Sequence, residues 1–239
     1  MKKILFLFAL ILAVAALLIS CGGEPVESAS EFTDTSATLA SSTPPVVDLD
    51  IIPMSENGLF SAHLLRNEKN EISGVAVLEW KSDVDSITVP SSFEYDGKSY
   101  PITEFGYGIR LLSSNPKQIQ SILLPSSVKT ISTRVCMMLI NLETVTLSEG
   151  LESIEEMAFW HCTSLHSIAF PSTLKSIGSE AFADCFALTN LVIPSGVTEI
   201  ADRAFAGCKG LQSVTIPSAF RDRVADIFYN CGDVTFNFT

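Results

Sequence analysis

The chain has 239 residues, with 15 Lys and Arg against 27 Asp and Glu, a formal net charge of −12. This acidic surplus disfavours nucleic acid and anionic lipid headgroups as partners, because proteins bind both through Lys and Arg. Without the N-terminal segments described next, about 190 residues remain, which is enough for one domain with a sizeable core.

The first 20 residues have the features of an export signal. Lys2 and Lys3 precede an uncharged apolar run from Ile4 to Ile19, and Ser20 follows. A basic head, a short apolar core and a small residue predict a signal peptide over residues 1–20. The run of 16 residues is shorter than the roughly 20 that a membrane-spanning helix needs.

The stretch Leu18-Ile19-Ser20-Cys21 resembles a bacterial lipobox. The resemblance implies cleavage before Cys21, which then carries a thioether-linked diacylglycerol and usually an N-acyl chain such as palmitate. Two or three acyl chains anchor stably, since each buried methylene contributes about 0.8 kcal/mol. Lipoproteins that stay in the inner membrane of enterobacteria have Asp directly after the acylated cysteine. This chain has Gly22 at that position, so the resemblance permits delivery to the outer membrane. The alternative is an ordinary secretory signal with a cysteine nearby.

Residues 21–48 are rich in Ser, Thr, Pro and acidic residues and contain few large apolar side chains. Such a segment buries too little apolar surface to offset the chain entropy of folding. We therefore predict a flexible tether that begins at the acylated Cys21.

Residues 49–101 are predicted to form an N-terminal β cap. Leu59–Arg66 and Ile72–Trp80 read as two strands around a polar turn. Asp96 and Gly97 lie between alternating aromatic residues, and Asp-Gly is a strong signal for a two-residue hairpin turn.

From residue 102 to 239 the chain repeats with a period of 23. The segment 179–194 reads SEAFADCFALTNLVIP, and 202–217 reads DRAFAGCKGLQSVTIP. Four further columns of the repeat keep one residue type over successive periods. They are Pro171, Pro194 and Pro217; Ile131, Ile154, Ile177 and Ile200; Leu142, Leu165, Leu188 and Leu211; and Phe159, Phe182, Phe205 and Phe228.

Each period predicts one coil of a solenoid. Val214 and Ile216 alternate with polar residues as in a strand with one buried face, and the proline that follows ends the strand. Ala-Phe-x-x-Cys places apolar side chains at i and i+3, as at Phe182 and Cys185, which favours a helical turn. A single coil cannot bury its own apolar face, whereas stacked coils cover one another. We expect an atypical last repeat, because an amphipathic stretch follows Ser218.

The repeat resembles the BspA-type leucine-rich repeat of bacterial surface proteins. The resemblance covers roughly residues 84–236 and rests on the string Ala-Phe-x-x-Cys-x-x-Leu-x-x-Ile-x-Ile-Pro. It implies a leucine-rich-repeat solenoid with a β-rich N-terminal cap. It also implies adhesion to host or neighbouring-cell proteins, or to glycans.

A column of cysteines, Cys162, Cys185, Cys208 and Cys231, runs through the repeat. Stacked coils place successive cysteines about 4.8 Å apart, within the range of disulfides, and export permits oxidation. Ladder side chains nevertheless point inward rather than at one another, and a free cysteine behaves as a small buried hydrophobe. Buried thiols and disulfides both stay open, while a spacing of 23 is unlike that of metal ligands.

No residue is nominated for catalysis or for metal binding. His63, His161 and His166 lie in no H-E-x-x-H or G-x-S-x-G motif. The pair Glu155-Glu156 reads as a solvated face, since neighbours on a turn point apart. We therefore expect a protein that is not an enzyme and needs no cofactor.

The outer side of the strands offers two columns as a candidate binding surface. These are Ser121, Thr144, Ser167, Asn190 and Ser213, and Leu123, Thr146, Ala169, Val192 and Thr215. The side chains of these columns are small and uncharged, and many carry a hydroxyl group, which suits contact with an extended glycan or peptide. The residues selected as ligand contacts are Thr144, Thr146, Ser167, Asn190, Ser213 and Thr215. The alternative is that stacked strands merely accept small, β-tolerant residues.

Trp160 is a further candidate contact, because its column otherwise holds Ala183, Ala206 and Tyr229. An exposed tryptophan in such a column can anchor a partner. The alternative is that it packs on a neighbouring coil.

These features predict a cell-envelope lipoprotein held at the outer membrane through Cys21 and exposed at the cell surface. Its repeats are expected to bind a host or neighbouring-cell protein or glycan. The alternative is a periplasm-facing structural scaffold or assembly partner of another envelope protein.

Overall fold

A computed structural model describes four stretches of the chain: 51–52, 60–80, 84–106 and 118–239. All of them belong to one of the two compact units of the chain, Val47–Thr239. The predicted signal peptide and the tether with Cys21 lie outside the described residues. Within the described stretches, no helix is long and apolar enough to cross a membrane.

Short strands joined by turns make up the structure. In chain order the strands are β1 (Ile51–Ile52), β2 (Phe60–Arg66), β3 (Ile72–Trp80), β4 (Ser86–Thr88), β5 (Ser92–Tyr95), β6 (Lys98–Phe105), β7 (Ser121–Leu123), β8 (Thr130–Ile131), β9 (Thr144–Thr146), β10 (Ser153–Ile154), β11 (Ser167–Ile168), β12 (Ser176–Ile177), β13 (Asn190–Val192), β14 (Glu199–Ile200), β15 (Ser213–Ile216) and β16 (Thr235–Phe238). Two helical segments lie near the C-terminus: a 3₁₀ helix, Ser218–Arg223, and the helix α1, Val224–Ile227.

Strands one period apart pair in parallel and in register. β8, β10, β12 and β14 are successive neighbours in the first sheet, with Ile131, Ile154, Ile177 and Ile200 opposite one another. β4, β7, β9 and β11 form a second sheet, and β13, β15 and β16 form a third. The pairings among the strands from β7 to β15 each advance by 23 residues, which confirms the predicted leucine-rich-repeat solenoid.

The hairpin of β2 and β3 continues the first sheet beyond the repeats. Both strands match the predicted strands to within one residue. β3 pairs in parallel with β6, Val75 lying opposite Ile102, and β6 pairs in parallel with β8, Phe105 lying opposite Ile131. The hairpin therefore covers the edge of the sheet that the first coil presents.

The stacked strands begin inside the segment 49–101 that was predicted as a cap. β4 pairs with β7 in the second sheet, Ser86 lying opposite Ser121. After β4 the hairpin of β5 and β6 is inserted, and its turn residues Asp96 and Gly97 have positive φ (49° and 70°), as a type I′ turn requires. The inserted hairpin hides the repeat in the sequence upstream of Ser121.

The segment predicted as a helical turn has a different local conformation. Between β12 and β13, the N–H groups of Ala181, Ala183 and Cys185 donate to the carbonyls three residues before them, at 3.3, 3.1 and 3.4 Å. Glu180 and Asp184 have positive φ (54° and 59°), so the segment is a series of overlapping turns. These two residues with positive φ lie four positions apart, and they prevent a continuous helix.

The other N–H groups of the turns donate hydrogen bonds to backbone carbonyls of the next coil. Phe182 N donates to Ala204 O, and Asp184 N donates to Ala206 O, both at 2.8 Å. The same pattern recurs in the neighbouring coils, where Phe159 N donates to Ala181 O at 2.7 Å. Backbone hydrogen bonds therefore join the coils along the turns as well as along the strands.

The core lies inside the coils as continuous columns of identical side chains. The rings of Phe159, Phe182, Phe205 and Phe228 stack in sequence, with centroids 5.1, 5.3 and 5.1 Å apart and nearly parallel planes. In the last repeat, Phe220 and Ile227 of the helical segments are buried. The atypical C-terminal repeat therefore closes the core with the apolar side of its amphipathic stretch.

Candidate functional site

The outer side chains of the second and third sheets form one set, the strand face. It comprises Ser121, Leu123, Thr144, Thr146, Ser167, Ala169, Asn190, Val192, Ser213 and Thr215. All ten are exposed or half-buried, whereas the residues between them, such as Val145 and Val214, are buried. The alternation of each strand places these side chains outside, as the sequence predicted.

The strand face carries no ionisable side chain but has two prominent apolar ones. Val192 is 63% exposed and Leu123 is 43% exposed. Of the predicted contacts, Thr144, Thr146, Ser167 and Asn190 are exposed, and Ser213 and Thr215 are half-buried.

Hydroxyl and amide groups of the strand face bond from coil to coil. Ser213 Oγ donates to Asn190 Oδ1 at 2.6 Å, and Ser121 Oγ donates to Ser86 Oγ at 2.8 Å. Each hydroxyl also has acceptor capacity beyond the bond it donates. The face can therefore offer an extended partner a regular row of polar groups.

Charged residues lie at and beside the strands of the first sheet, which we call the charged side. Lys129 and Glu152 directly precede β8 and β10, and Lys129 Nζ lies 3.6 Å from Glu152 Oε1. Glu104 and Glu199 lie on β6 and β14. The ten residues of the strand face include no charged side chain, and charged residues are depleted at the centres of protein interfaces.

Glu104 is the carboxyl group most affected by its surroundings on the charged side. Its partial burial raises its pKa, and the nearby carboxylate of Glu155 raises it further. A raised pKa in the folded state means that the folded chain holds the proton more tightly than the unfolded chain. Stability therefore falls as pH rises from the ordinary range of Glu through the raised pKa of Glu104.

Replacing Glu104 with Gln is expected to stabilise the fold at pH 7, by less than about 1 kcal/mol because solvent partly screens the site. Denaturant unfolding at pH 7 and at pH 4 measures the effect. The gain over wild type should shrink at pH 4, where Glu104 is mostly protonated in both states. A gain that is equal at the two pH values would contradict the assignment to charge.

Trp160 lies in the turn segment between β10 and β11 rather than on the strand face. It is half-buried, and its ring centroid lies 5.2 Å from that of His161. His161 in turn meets the edge of Phe186 at 5.7 Å. The ring of Trp160 therefore contacts its neighbour in the same coil, and it is His161 that reaches the next coil through Phe186.

Phe186 and Met138 are surface residues that the sequence analysis missed. They are 41% and 40% exposed, respectively. Phe186 stands in a column that otherwise holds Ile140, Thr163, Lys209 and Gly232. Because the residue types of that column differ, the column did not indicate whether Phe186 is exposed.

The cysteine column lies in the core. Its members Cys162, Cys185, Cys208 and Cys231 are free thiols and buried, as is Cys136, which stands in the phenylalanine column. The thiols of the four column members each donate to a backbone carbonyl 26 residues earlier, as Cys185 Sγ does to Phe159 O at 3.3 Å. Burial raises the pKa of Cys185 well above its ordinary value. This arrangement corresponds to the buried-thiol interpretation.

A shallow groove is lined by Leu124, Pro125, Val128, Leu147, Ser148 and Leu151. Within the described stretches, no three His, Cys, Asp or Glu side chains group to hold a metal ion.

Comparison with solved structures returns bacterial leucine-rich-repeat proteins. A leucine-rich-repeat protein from Bacteroides ovatus matches with 27% identity and a TM-score of 0.56, over 72% of this chain and 44% of its own. The leucine-rich-repeat protein of T. pallidum matches with 23% identity and a TM-score of 0.59, over 77% of this chain and 81% of its own. The chain thus spans less than half of the Bacteroides protein. A search of curated proteins gave no match.

A family model for the BspA type leucine-rich repeat region matches residues 114–235 in six copies. Proteins with this fold commonly mediate protein binding and are typically non-enzymatic binding modules. The match covers half of the chain. The chain therefore belongs to the family of BspA type leucine-rich-repeat proteins.

Proposed function

We propose that this protein is a membrane-anchored binding module that holds an extended partner against its strand face. The observation that carries the proposal is the uncharged, exposed surface of the second and third sheets, with Leu123 and Val192 standing among hydroxyl groups. Repeat proteins bind through such extended surfaces. Uncharged contact areas with apolar centres are typical of interfaces.

The proposed location is the outer membrane, with the repeats at the cell surface. The signal peptide over residues 1–20 and the lipobox-like stretch ending at Cys21 support export and acylation. A tether over residues 21–48 then separates the coils from the lipid. A partner outside the cell, namely a host or neighbouring-cell protein or glycan, suits that location.

The net charge of the chain makes some classes of partner less suitable than others. Removal of residues 1–20 takes away two lysines and leaves 13 basic against 27 acidic residues. Recognition through a basic patch is therefore disfavoured. Contact through hydroxyl, amide and aliphatic groups fits the strand face better.

The binding experiment uses the full chain carrying Cys21→Ser, which removes the acylation site. Immobilised host matrix proteins and glycans are screened, and the dissociation constant is measured for each ligand found. Val192→Lys then places a charge at the most exposed apolar position of the strand face. Thr198→Lys, an exposed residue next to β14, is the matched control on the first sheet.

We expect Val192→Lys to weaken binding at least tenfold and Thr198→Lys to leave it within about twofold, because a desolvated charge disfavours an interface. Equal effects of both substitutions would contradict the strand face as the site. Failure of all matrix proteins and glycans to bind, with co-purification of one envelope protein, would favour the periplasmic scaffold instead.

A further inference from the structure

β16 is an edge strand of the third sheet. It pairs in parallel with β15, and it has no other partner among the described strands. The N–H groups of Thr235 and Thr239 donate to carbonyls of the preceding coil, at 2.9 and 3.1 Å. Successive residues of a strand direct their backbone groups alternately to its two sides. Phe236 and Phe238 therefore direct their N–H and C=O groups away from β15.

β16 carries none of the features that usually protect an edge strand. Natural proteins block such edges with charged side chains, with proline or with a bulge. The strand Thr235–Phe238 contains no charged residue and no proline, and its pairing with β15 runs in continuous register. Its outward backbone groups can therefore pair with a further strand.

The rings of Phe236 and Phe238 are only partly covered on the core side of β16. Phe236 meets Phe228 at 5.2 Å, and Phe238 lies 6.3 Å from Phe236. Both are half-buried, whereas Phe228 is buried. The guanidinium group of Arg221 lies 3.8 Å from the centre of the Phe238 ring. A strand added at this edge would cover the two rings further if it brought apolar or aromatic side chains to the same side.

A second copy of β16 supplies such side chains. Two identical edge strands can pair in antiparallel about a twofold axis, so that the same residues of both copies form the contact. The outward N–H and C=O groups of Phe236 and Phe238 in one copy then bond to those of the other. Residues opposite one another point to the same side of a sheet, so the four rings meet on the core side.

We propose that two copies of the chain pair through β16 into a reversible dimer whose two strand faces form one surface. Thr235 lies opposite Ser213 and Asn237 lies opposite Thr215, so β16 continues both columns of the strand face. Antiparallel pairing places the two faces on the same side of one sheet. A contact of one short strand is small, which is typical of weak association. Copies that share a membrane, as the proposed anchoring implies, meet at a raised effective concentration.

The experiment measures the mass of the full chain with Cys21→Ser by sedimentation, from about 1 μM to about 1 mM. We expect the mass to rise with concentration toward twice the 25.8 kDa of one chain. Thr235→Lys/Asn237→Lys and Thr235→Glu/Asn237→Glu place like charges opposite one another, and each should weaken the dimer at least about tenfold. An equimolar mixture of the two variants should restore the dimer, because the charges across the pair are then opposite.

Thr144→Lys/Thr146→Lys is the matched control, since it adds the same charge to β9, an inner strand of the second sheet. It should leave the dimer as in wild type. A wild-type chain that stays monomeric over the whole range, an equal loss in the control, or a mixture no more dimeric than its components would overturn the proposal. Recovery in the mixture also shows that both variants fold, and association through residues 1–20 would not respond to charges on β16. The measurement involves no ligand, so its failure would leave the proposed binding function untouched.

Discussion

Replacing Phe182 with alanine is expected to destabilise the solenoid by about 3–5 kcal/mol, the range for buried aromatic truncations. The side chain is 0% exposed, and its ring lies between those of Phe159 and Phe205 at 5.1 and 5.3 Å. Phe170 also meets it edge-on at 5.6 Å. Loss of the ring leaves a cavity that two stacked neighbours line, and the coil spacing set by the strands prevents them from closing it.

Phe186→Ala is the matched control for this prediction, since it removes the same side chain from the same coil. Phe186 is 41% exposed and meets His161 at the surface. Its loss should lower stability by about 1 kcal/mol or less. Denaturant unfolding of both variants measures the difference, and a similar loss for the two would argue against the phenylalanine column as the centre of the core.

Gly150→Ala is expected to lower stability by about 2–4 kcal/mol, for two reasons that act together. Gly150 has a φ of +115°, a conformation that L side chains rarely adopt. An added Cβ would also lie 2.4 Å from the carbonyl oxygen of Ser126 in the preceding coil. That oxygen belongs to the backbone, so relief of the contact requires the coils to separate.

Gly232→Ala isolates the contribution of the contact. Gly232 also has a positive φ, +98°, but nothing lies within 4 Å of the position of its added Cβ. Its substitution should lower stability by about 1–2 kcal/mol, from the backbone conformation alone. Thermal or denaturant unfolding compares the two variants, and an effect of Gly150→Ala no larger than that of Gly232→Ala would show that coil contact is not limiting there.

The period of the coils could be predicted from the sequence, but the conformation of the turns could not. Each coil covers the next, so Ile must pack on Ile and Phe on Phe. The same residue types therefore recur at a fixed spacing in the sequence, and that spacing is the period. The left-handed positions of the turns carry no such signal. They are occupied by residues such as Met157, Glu180 and Arg203, where glycine would have indicated a positive φ.

The candidate surface was partly predictable for a similar reason. Alternation along a strand determines which side chains point outward, so Thr144, Thr146 and their neighbours in the columns were placed correctly on the outside. The exposure of Phe186 depends on the path of a turn and not on alternation.

The position of β4 follows from the spacing of the sequence once insertions are allowed for. Ser86 pairs with Ser121, 35 residues later, which is one period of 23 and 12 inserted residues. The hairpin of β5 and β6 lies between the two strands.

We propose that the repeats act outside the cell, where the strand face can meet a partner. Protease treatment of intact cells tests it most directly, with blotting for the solenoid and for a periplasmic protein that reports lysis. We predict that the solenoid is lost while the periplasmic protein survives, and that a Cys21→Ser chain no longer fractionates with the membrane. Survival of the solenoid until the outer membrane is opened would contradict the claim and direct the search for a partner to the periplasm.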